Sequence, residues 1–328
     1  MRAATLADRG VIEVRDYPEP EPEPGHVLVA MHYASICGSD LHVIFDGFHD
    51  ETRLGLPGYP GHEGTGTVID PGGTGLAAGT PVLTVPFGRQ GGCFAAVQSV
   101  PEAQLVPLPA GGDLRRLLLA QQLGTTVYAM KKFLPADREA PEIAVVVGAG
   151  SAGLFFLQQL KARGATVIIT DLDAERLATA RRFGADVTVH GPEDSVAEAT
   201  LDHTGGRGAP LVIEAAGGIE ARALAVASAA HGATLGAFGY PDRPGAEPFD
   251  VDGAFRRALT VAFSNNTQGE PGLASFRTAV ELITDGVIEV DHCLQAMYDL
   301  EDAAEAVATA RDHGRGAAKI GLVLPAAG

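Results

Sequence analysis

The chain has 328 residues, 46% of them hydrophobic and 20% charged. That length is more than one small core needs and fits two domains. With 41 acidic and 24 basic residues the formal net charge is -17, so the chain lacks the basic surplus that nucleic acid or an anionic membrane surface requires.

The opening MRAATLADRG has no apolar core of the kind a signal peptide carries, and a cytoplasmic location is expected. Strand-like runs follow at residues 11–14, 27–30, 64–69 and 81–85, separated by turn residues. Residues 17–25, YPEPEPEPG, cannot continue a helix or a central strand and read as a rigid extended surface crossing. Gly, Pro and short β runs persist to about Pro109, which predicts a mostly β domain, a partly open barrel or sandwich.

The pattern then changes. Residues 114–133 read as helix, with Leu117, Leu118 and Leu123 at apolar positions. From Ile143 onward, strand-like runs at 143–147, 166–170, 186–189, 211–214 and 234–238 alternate with amphipathic segments at 152–163, 173–183 and 219–230. Such alternation predicts an α/β fold, a doubly wound parallel sheet. Residues 318–324 return to strand character and are free to pair back with the first domain. The expected division is 1–125 with 275–328, and 126–274.

The longest apolar run, 143–156, is broken by Gly148, Gly150 and Gly153, so it reads as a buried strand entering a turn rather than a membrane span. The same stretch, IAVVVGAGSAG, is a strand feeding a G-x-G-x-x-G turn and a helix. Gly148 permits the tight turn, Gly150 lets backbone approach a pyrophosphate, and Gly153 allows close helix–strand packing. The helix N-terminus adds free N–H groups and the positive end of a dipole. Asp171 ends the next strand about where a carboxylate binds the adenosine ribose, and it would repel a 2′-phosphate. The pattern therefore predicts NAD in preference to NADP. Arg176 is placed to contact the ribose or a phosphate.

Only three cysteines occur, Cys37, Cys93 and Cys293. This argues against a disulfide framework and excludes an all-cysteine zinc site, which needs four. Cys37 in ICGSDLH and His62 in PGYPGHEGTGTV are residue types that suit zinc. Taken alone they carry little weight, because an isolated buried cysteine is usually inert packing.

The joint order of ICGSDLH, GHEGTGTV and GxGxxG resembles the zinc-dependent medium-chain alcohol and polyol dehydrogenases. The resemblance extends to the opening MRAATL, to PEPEPG ahead of VLVAM, and to DLEDAAEAVATA near the end. It implies a GroES-like catalytic domain and a Rossmann cofactor domain, with the active site in the cleft between them. It also implies Cys37 and His62 as ligands of one catalytic zinc. Glu63 then sits behind or transiently reaches the metal, and Asp40 orients His62. Ser39 takes the substrate proton and His42 is the distal histidine of a proton relay. The cofactor set is Gly148, Gly150, Ser151, Ala152, Gly153, Asp171, Arg176, Phe238 and Lys319.

Two departures from the family pattern stand out. Residues 81–100 run directly through GRQGGC, leaving no room for the four-cysteine lobe of many relatives, so no structural zinc is expected; Cys93 falls there, on a segment that aligns with a structural hairpin. The third ligand position falls in LAQQLGTTVYA, on Gln121. A neutral amide is a poor zinc ligand beside thiolate or carboxylate. Three arrangements stay open: Glu63 completes the site, Gln121 binds weakly or through water, or the metal is lost.

The expected activity is hydride transfer between a nicotinamide and an alcohol, a polyol or its carbonyl. The loop at 45–59 carries Asp46, His49, Asp50 and Arg53, which suit polyol hydroxyls or equally a solvated loop. Phe45 and Phe48 belong to the core or the pocket. Two other readings compete: a zinc-free quinone or enoyl reductase, and a dinucleotide-binding protein that has lost catalysis. Relatives form dimers or tetramers along the edge of the cofactor-domain sheet, which the strand near 234–238 would provide.

Overall fold

The computed structural model describes residues 1–87, 91–191 and 193–325. The chain divides into two compact units, residues 1–124 with 266–328, and residues 125–265. The return crossing comes at 266, earlier than the 275 expected from sequence. The short 3-10 turns Thr267–Gly269 and Pro271–Leu273 belong with the first unit.

The first unit opens with the hairpin β1 (Arg2–Asp8) and β2 (Val11–Asp16), paired antiparallel from Arg2↔Asp16 inward. The long β3 (His26–Ile36) leads into α1 (Gly38–Phe45). Then come β4 (Glu63–Asp70), β5 (Pro81–Thr84), β6 (Val97–Pro101) and β7 (Leu105–Pro107). The predicted helix 114–133 is two helices, α2 (Leu114–Leu117) and α3 (Ala120–Phe133), and the division between units falls inside α3. Asp113 caps α2 by accepting from the backbone of Arg115 and Arg116.

The second unit alternates β8 (Ile143–Val147), α4 (Ser151–Ala162), β9 (Thr166–Asp171), α5 (Ala174–Arg182), β10 (Val187–His190), α6 (Val196–His203), β11 (Ala209–Glu214), α7 (Ile219–Ser228), β12 (Ala229–Ala237), α8 (Val251–Arg256) and β13 (Thr260–Phe263). All its strand pairs are parallel, in the order β10-β9-β8-β11-β12-β13. Central strands such as β8 are buried on both faces, which is why IAVVV shows no alternation. The expected edge at 234–238 is corrected: β12 is covered by β13, and β13 is the edge. β13 spans only four residues, TVAF, all of them partly or fully exposed.

Back in the first unit, α9 (Ala274–Thr284), β14 (Ala296–Asp299), α10 (Ala303–Arg311) and β15 (Ile320–Val323) complete the chain. β15 pairs antiparallel with β3, with Ile320 opposite Ile36. The sheet order is β14-β15-β3-β4-β5-β7, with β6 also on β3. The core of this unit joins β-sheet residues such as Val29, Met31 and Leu322 to Ile44 of α1 and Ala306 of α10. Among the described residues no helix is long and apolar enough to cross a membrane.

Candidate active site

Strand register builds the first cluster. β3 and β4 pair with Ser35 opposite Glu63. Cys37, just past β3, therefore meets His62 and Glu63 at the start of β4. A thiol, an imidazole nitrogen and a carboxylate oxygen from Cys37, His62 and Glu63 lie within 4.8 Å of one another. This is the one such His/Cys/Asp/Glu cluster among the described residues.

Asp40, buried on the first turn of α1, ties the two segments together. Its Oδ2 accepts from Cys37 N at 2.8 Å, and its Oδ1 lies 2.7 Å from His62 Nδ1. That contact leaves His62 Nε2 directed elsewhere, 3.4 Å from Ser39 Oγ. Burial would lower the imidazole pKa, but the Asp40 carboxylate outweighs it and the pKa is raised well above the ordinary value. A carboxylate behind an imidazole is the usual support of a metal-binding histidine.

Glu63 is held from behind. Its Oε2 accepts from Ser35 Oγ and pairs with Lys319 Nζ at 2.6 Å. Its Oε1 is buried and has no hydrogen-bond partner. Burial would raise this carboxyl, but the Lys319 ammonium outweighs it and the pKa is lowered. A soft thiolate, an imidazole and an ionised carboxylate with one idle oxygen fit a zinc ion.

Lys319, expected among the cofactor contacts, is instead buried beside Glu63. Pairing of Ile320 with Ile36 draws it under the cluster. Gln121 is buried too, and its Nε2 lies 3.5 Å from the His62 carbonyl oxygen. Cys93 sits apart from the cluster, with Sγ 3.3 Å from Thr84 Oγ1, and burial pushes its thiol up to about 12. Gly88, Arg89 and Gln90 of GRQGGC lie outside the described residues.

His42, on α1, faces Asp46, with Nδ1 2.9 Å from Asp46 Oδ2, and packs edge-on against Phe48. The polar loop residues turn to local tasks. Asp50 Oδ1 accepts from Thr52 N, Asp50 Oδ2 lies 3.5 Å from Arg53 Nε, and Phe48 belongs to the core. Phe45 lies under the Arg311 guanidinium, 3.9 Å from its ring centre.

The second cluster lies at the carboxyl ends of β8 and β9. Gly148, with φ 101°, turns the chain, and Gly150 is the N-cap of α4. A Cβ on Gly153 would fall 1.9 Å from the Gly148 carbonyl oxygen, so helix and strand approach as a dinucleotide turn requires. Ser151 and Ala152 begin α4, both buried. Asp171 Oδ2 accepts from Ala149 N at 2.6 Å and Oδ1 from Asp173 N at 2.9 Å, which fastens the acid to the glycine turn. The Arg176 guanidinium reaches to 4.0 Å from where a Gly150 Cβ would stand. Phe238 packs edge-on against Phe156 of α4, with ring centres 5.0 Å apart. A cavity of about 230 Å³ beyond β9 is lined by Thr170, Gly191, Glu193, Asp194, Ser195, Val196 and Leu224. The open glycine cradle with Asp171 beside it fits a dinucleotide.

Sequence reasoning missed Ser35, the pairing of Lys319 with Glu63, and the contact of Asp46 with His42. The first two depend on strand register. The last had a signal, an i,i+4 His–Asp spacing on a helix.

Comparison with known proteins matches residues 23–110 to the alcohol dehydrogenase GroES-like domain and residues 152–285 to the zinc-binding dehydrogenase family. A Mycobacterium tuberculosis protein named "Probable zinc-binding alcohol dehydrogenase Rv1895" is 30% identical, over 95% of this chain and 85% of its own. A sorbitol dehydrogenase of Bacillus subtilis is 26% identical, over 94% of this chain and 92% of its own. The solved alcohol dehydrogenase from Thermus sp. ATN1 shares the fold at a TM-score of 0.82 and 24% identity, over 98% or more of both chains (99% and 100%). Matches of both domains in this order, across nearly the whole length, make the chain a member of the zinc-dependent alcohol and polyol dehydrogenases of the medium-chain dehydrogenase/reductase family, and so an oxidoreductase.

Proposed function

We propose that the protein is an NAD-dependent alcohol or polyol dehydrogenase with one catalytic zinc held by Cys37, His62 and Glu63. The observation that carries this reading is Glu63 Oε1, a buried carboxylate oxygen without a partner in a cluster with a thiol and an imidazole. In this reading Glu63 fills the place left by Gln121, whose amide is turned toward the His62 carbonyl. Bound zinc would polarise the substrate oxygen as a Lewis acid.

The remaining steps belong to this chain's own side chains. Ser39, beside His62 Nε2, accepts the substrate's hydroxyl proton and passes it on to His42. Asp46, 2.9 Å from His42 Nδ1, holds that ring so that its other nitrogen faces the incoming proton. A nicotinamide dinucleotide held at the glycine turn and Asp171 would supply the acceptor or donor of the hydride.

NAD is favoured over NADP by Asp171, and by Glu193 and Asp194 in the cavity beyond β9. A 2′-phosphate there would face like charge. The substrate is a small alcohol, polyol or carbonyl, in line with the sorbitol dehydrogenase and L-threonine 3-dehydrogenase names among the relatives. The chain self-associates through β13, the outermost strand of this sheet among the described residues, where Phe263 is 68% exposed, together with Phe255 of α8, 82% exposed.

The test is elemental metal analysis of the purified protein, with an NAD/NADP screen over alcohols and polyols. About one zinc per chain and NAD-linked oxidation of an alcohol is expected. Full activity in zinc-free protein would favour the zinc-free reductase instead.

A further inference from the structure

The second unit contains a buried acid that the glycine turn and Asp171 leave unused. Glu214 ends β11 and is fully buried. Its Oε1 accepts from two backbone groups of the turn that follows, Ala216 N at 2.8 Å and Gly217 N at 2.6 Å. Its backbone oxygen accepts from two groups beyond β12, Phe238 N at 2.9 Å and Gly239 N at 3.0 Å. One residue thus binds the turns that leave two neighbouring strands.

Those turns touch. A Cβ on Gly239 would lie 2.2 Å from Gly217 N and 2.8 Å from Glu214 Oε1, so backbone packs on backbone around the carboxylate. The first turn also lies against the glycine cradle. Ala215 N donates to Val147 O at 2.8 Å, and a Cβ on Gly148 would stand 3.0 Å from Ala216 Cβ. Arg222 braces the far side by donating to Glu247 and, at 3.3 Å, to the Tyr240 carbonyl.

The place in the sheet matters. Strand order reverses between β8 and β11, and ligands of doubly wound sheets bind beyond the carboxyl ends of the strands at such a reversal. Both turns held by Glu214 leave that edge.

We infer that Glu214 is a positioning residue for the dinucleotide: its carboxylate clamps the 215–217 turn, on which the 238–240 turn packs, and by fixing the wall against which Gly148 packs it sets cofactor affinity without touching the cofactor. This rests on the reading of the second unit as the dinucleotide-binding one.

The test is NADH binding to the full-length protein, followed by nicotinamide fluorescence, for wild type, Glu214→Ala and Glu214→Gln. Circular dichroism selects a temperature at which each is folded. Glu214→Ala should weaken NADH about tenfold, through the loss of two hydrogen bonds to a carboxylate. Glu214→Gln keeps both an acceptor oxygen and the side-chain volume and should recover most of that loss, whereas Glu214→Met keeps the volume without the acceptor and should not, which a purely space-filling role would reverse. Should Glu214→Ala not fold, Glu214→Asp, with its acceptor drawn back by one methylene, should show the same weakening. Unchanged NADH affinity in the folded Ala or Asp variant overturns the inference while leaving the dinucleotide reading intact. Wild-type protein that binds neither NADH nor NADPH overturns both.

Discussion

Lys319 Nζ lies 2.6 Å from Glu63 Oε2, and both side chains are almost wholly buried. Burial would drive each toward its neutral form. Each instead stabilises the charge of the other, so the lysine pKa is raised and the glutamate pKa is lowered. Removing one partner leaves an uncompensated buried charge, at a cost of about 3–5 kcal/mol. Lys319→Met should therefore lower the denaturant midpoint strongly. The double variant Lys319→Met/Glu63→Gln should regain much of that loss. Equal stability of all three proteins would show the pair to be uncoupled.

The metal cluster predicts a graded response. Cys37→Ala and His62→Ala should abolish bound zinc and turnover, and Glu63→Gln should release zinc to a chelator about tenfold faster than wild type, since an amide is the weaker ligand. Gln121→Ala should keep its zinc. Elemental analysis after chelator dialysis reads all four, and zinc loss in Gln121→Ala with retention in Glu63→Gln would reassign the third ligand.

Asp171 predicts cofactor choice. Asp171→Asn keeps one acceptor for the two backbone donors, Ala149 N and Asp173 N, and removes the charge that would face a 2′-phosphate. The ratio of kcat/KM with NAD to that with NADP should fall by about tenfold, equivalent to about 1.4 kcal/mol. An unchanged ratio would assign the preference to Glu193 and Asp194.

Glu214 predicts a pH dependence of the less common sign. Burial raises its pKa above the usual carboxyl range, against hydrogen bonds from Gly217 and Ala216 that favour the charged form. Between the ordinary value and the raised one, the folded state binds more proton than the unfolded state, so stability falls as pH rises through that window. Glu214→Gln cannot titrate. The stability difference between wild type and Glu214→Gln should therefore shift against wild type as pH rises through the window, as read from urea unfolding at several pH values. A difference that is flat with pH would place the folded pKa at its ordinary value.

The edge of the second unit predicts association. Phe255→Ser and Phe263→Ser remove exposed apolar surface on α8 and β13. Sedimentation should show a smaller species for the double variant than for wild type. A wild-type monomer would remove this surface from consideration.

Local patterns made much of this protein legible. The glycine spacing after a β-rich run, the acid closing the next strand, and the alternation of strands with amphipathic helices are properties of contiguous residues. They depend on backbone conformation and side-chain period, which neighbours dictate. The edge strand β13 was hidden because a four-residue run, TVAF, is too short to show a period. The break between α2 and α3 was hidden because LLLAQQ carries helix formers throughout.

By itself the sequence determined the fold class, the order of the two domains, the dinucleotide turn, and Cys37 and His62 as the soft ligands on offer. Only the tertiary structure decided what stands around them. The antiparallel pairing of Ser35 with Glu63, and of Ile320 with Ile36, brings residues from both ends of the chain onto one carboxylate. Strand register is set by the packing of a whole sheet face. No local pattern records that Lys319 holds Glu63 charged, or that Glu214 clamps two turns.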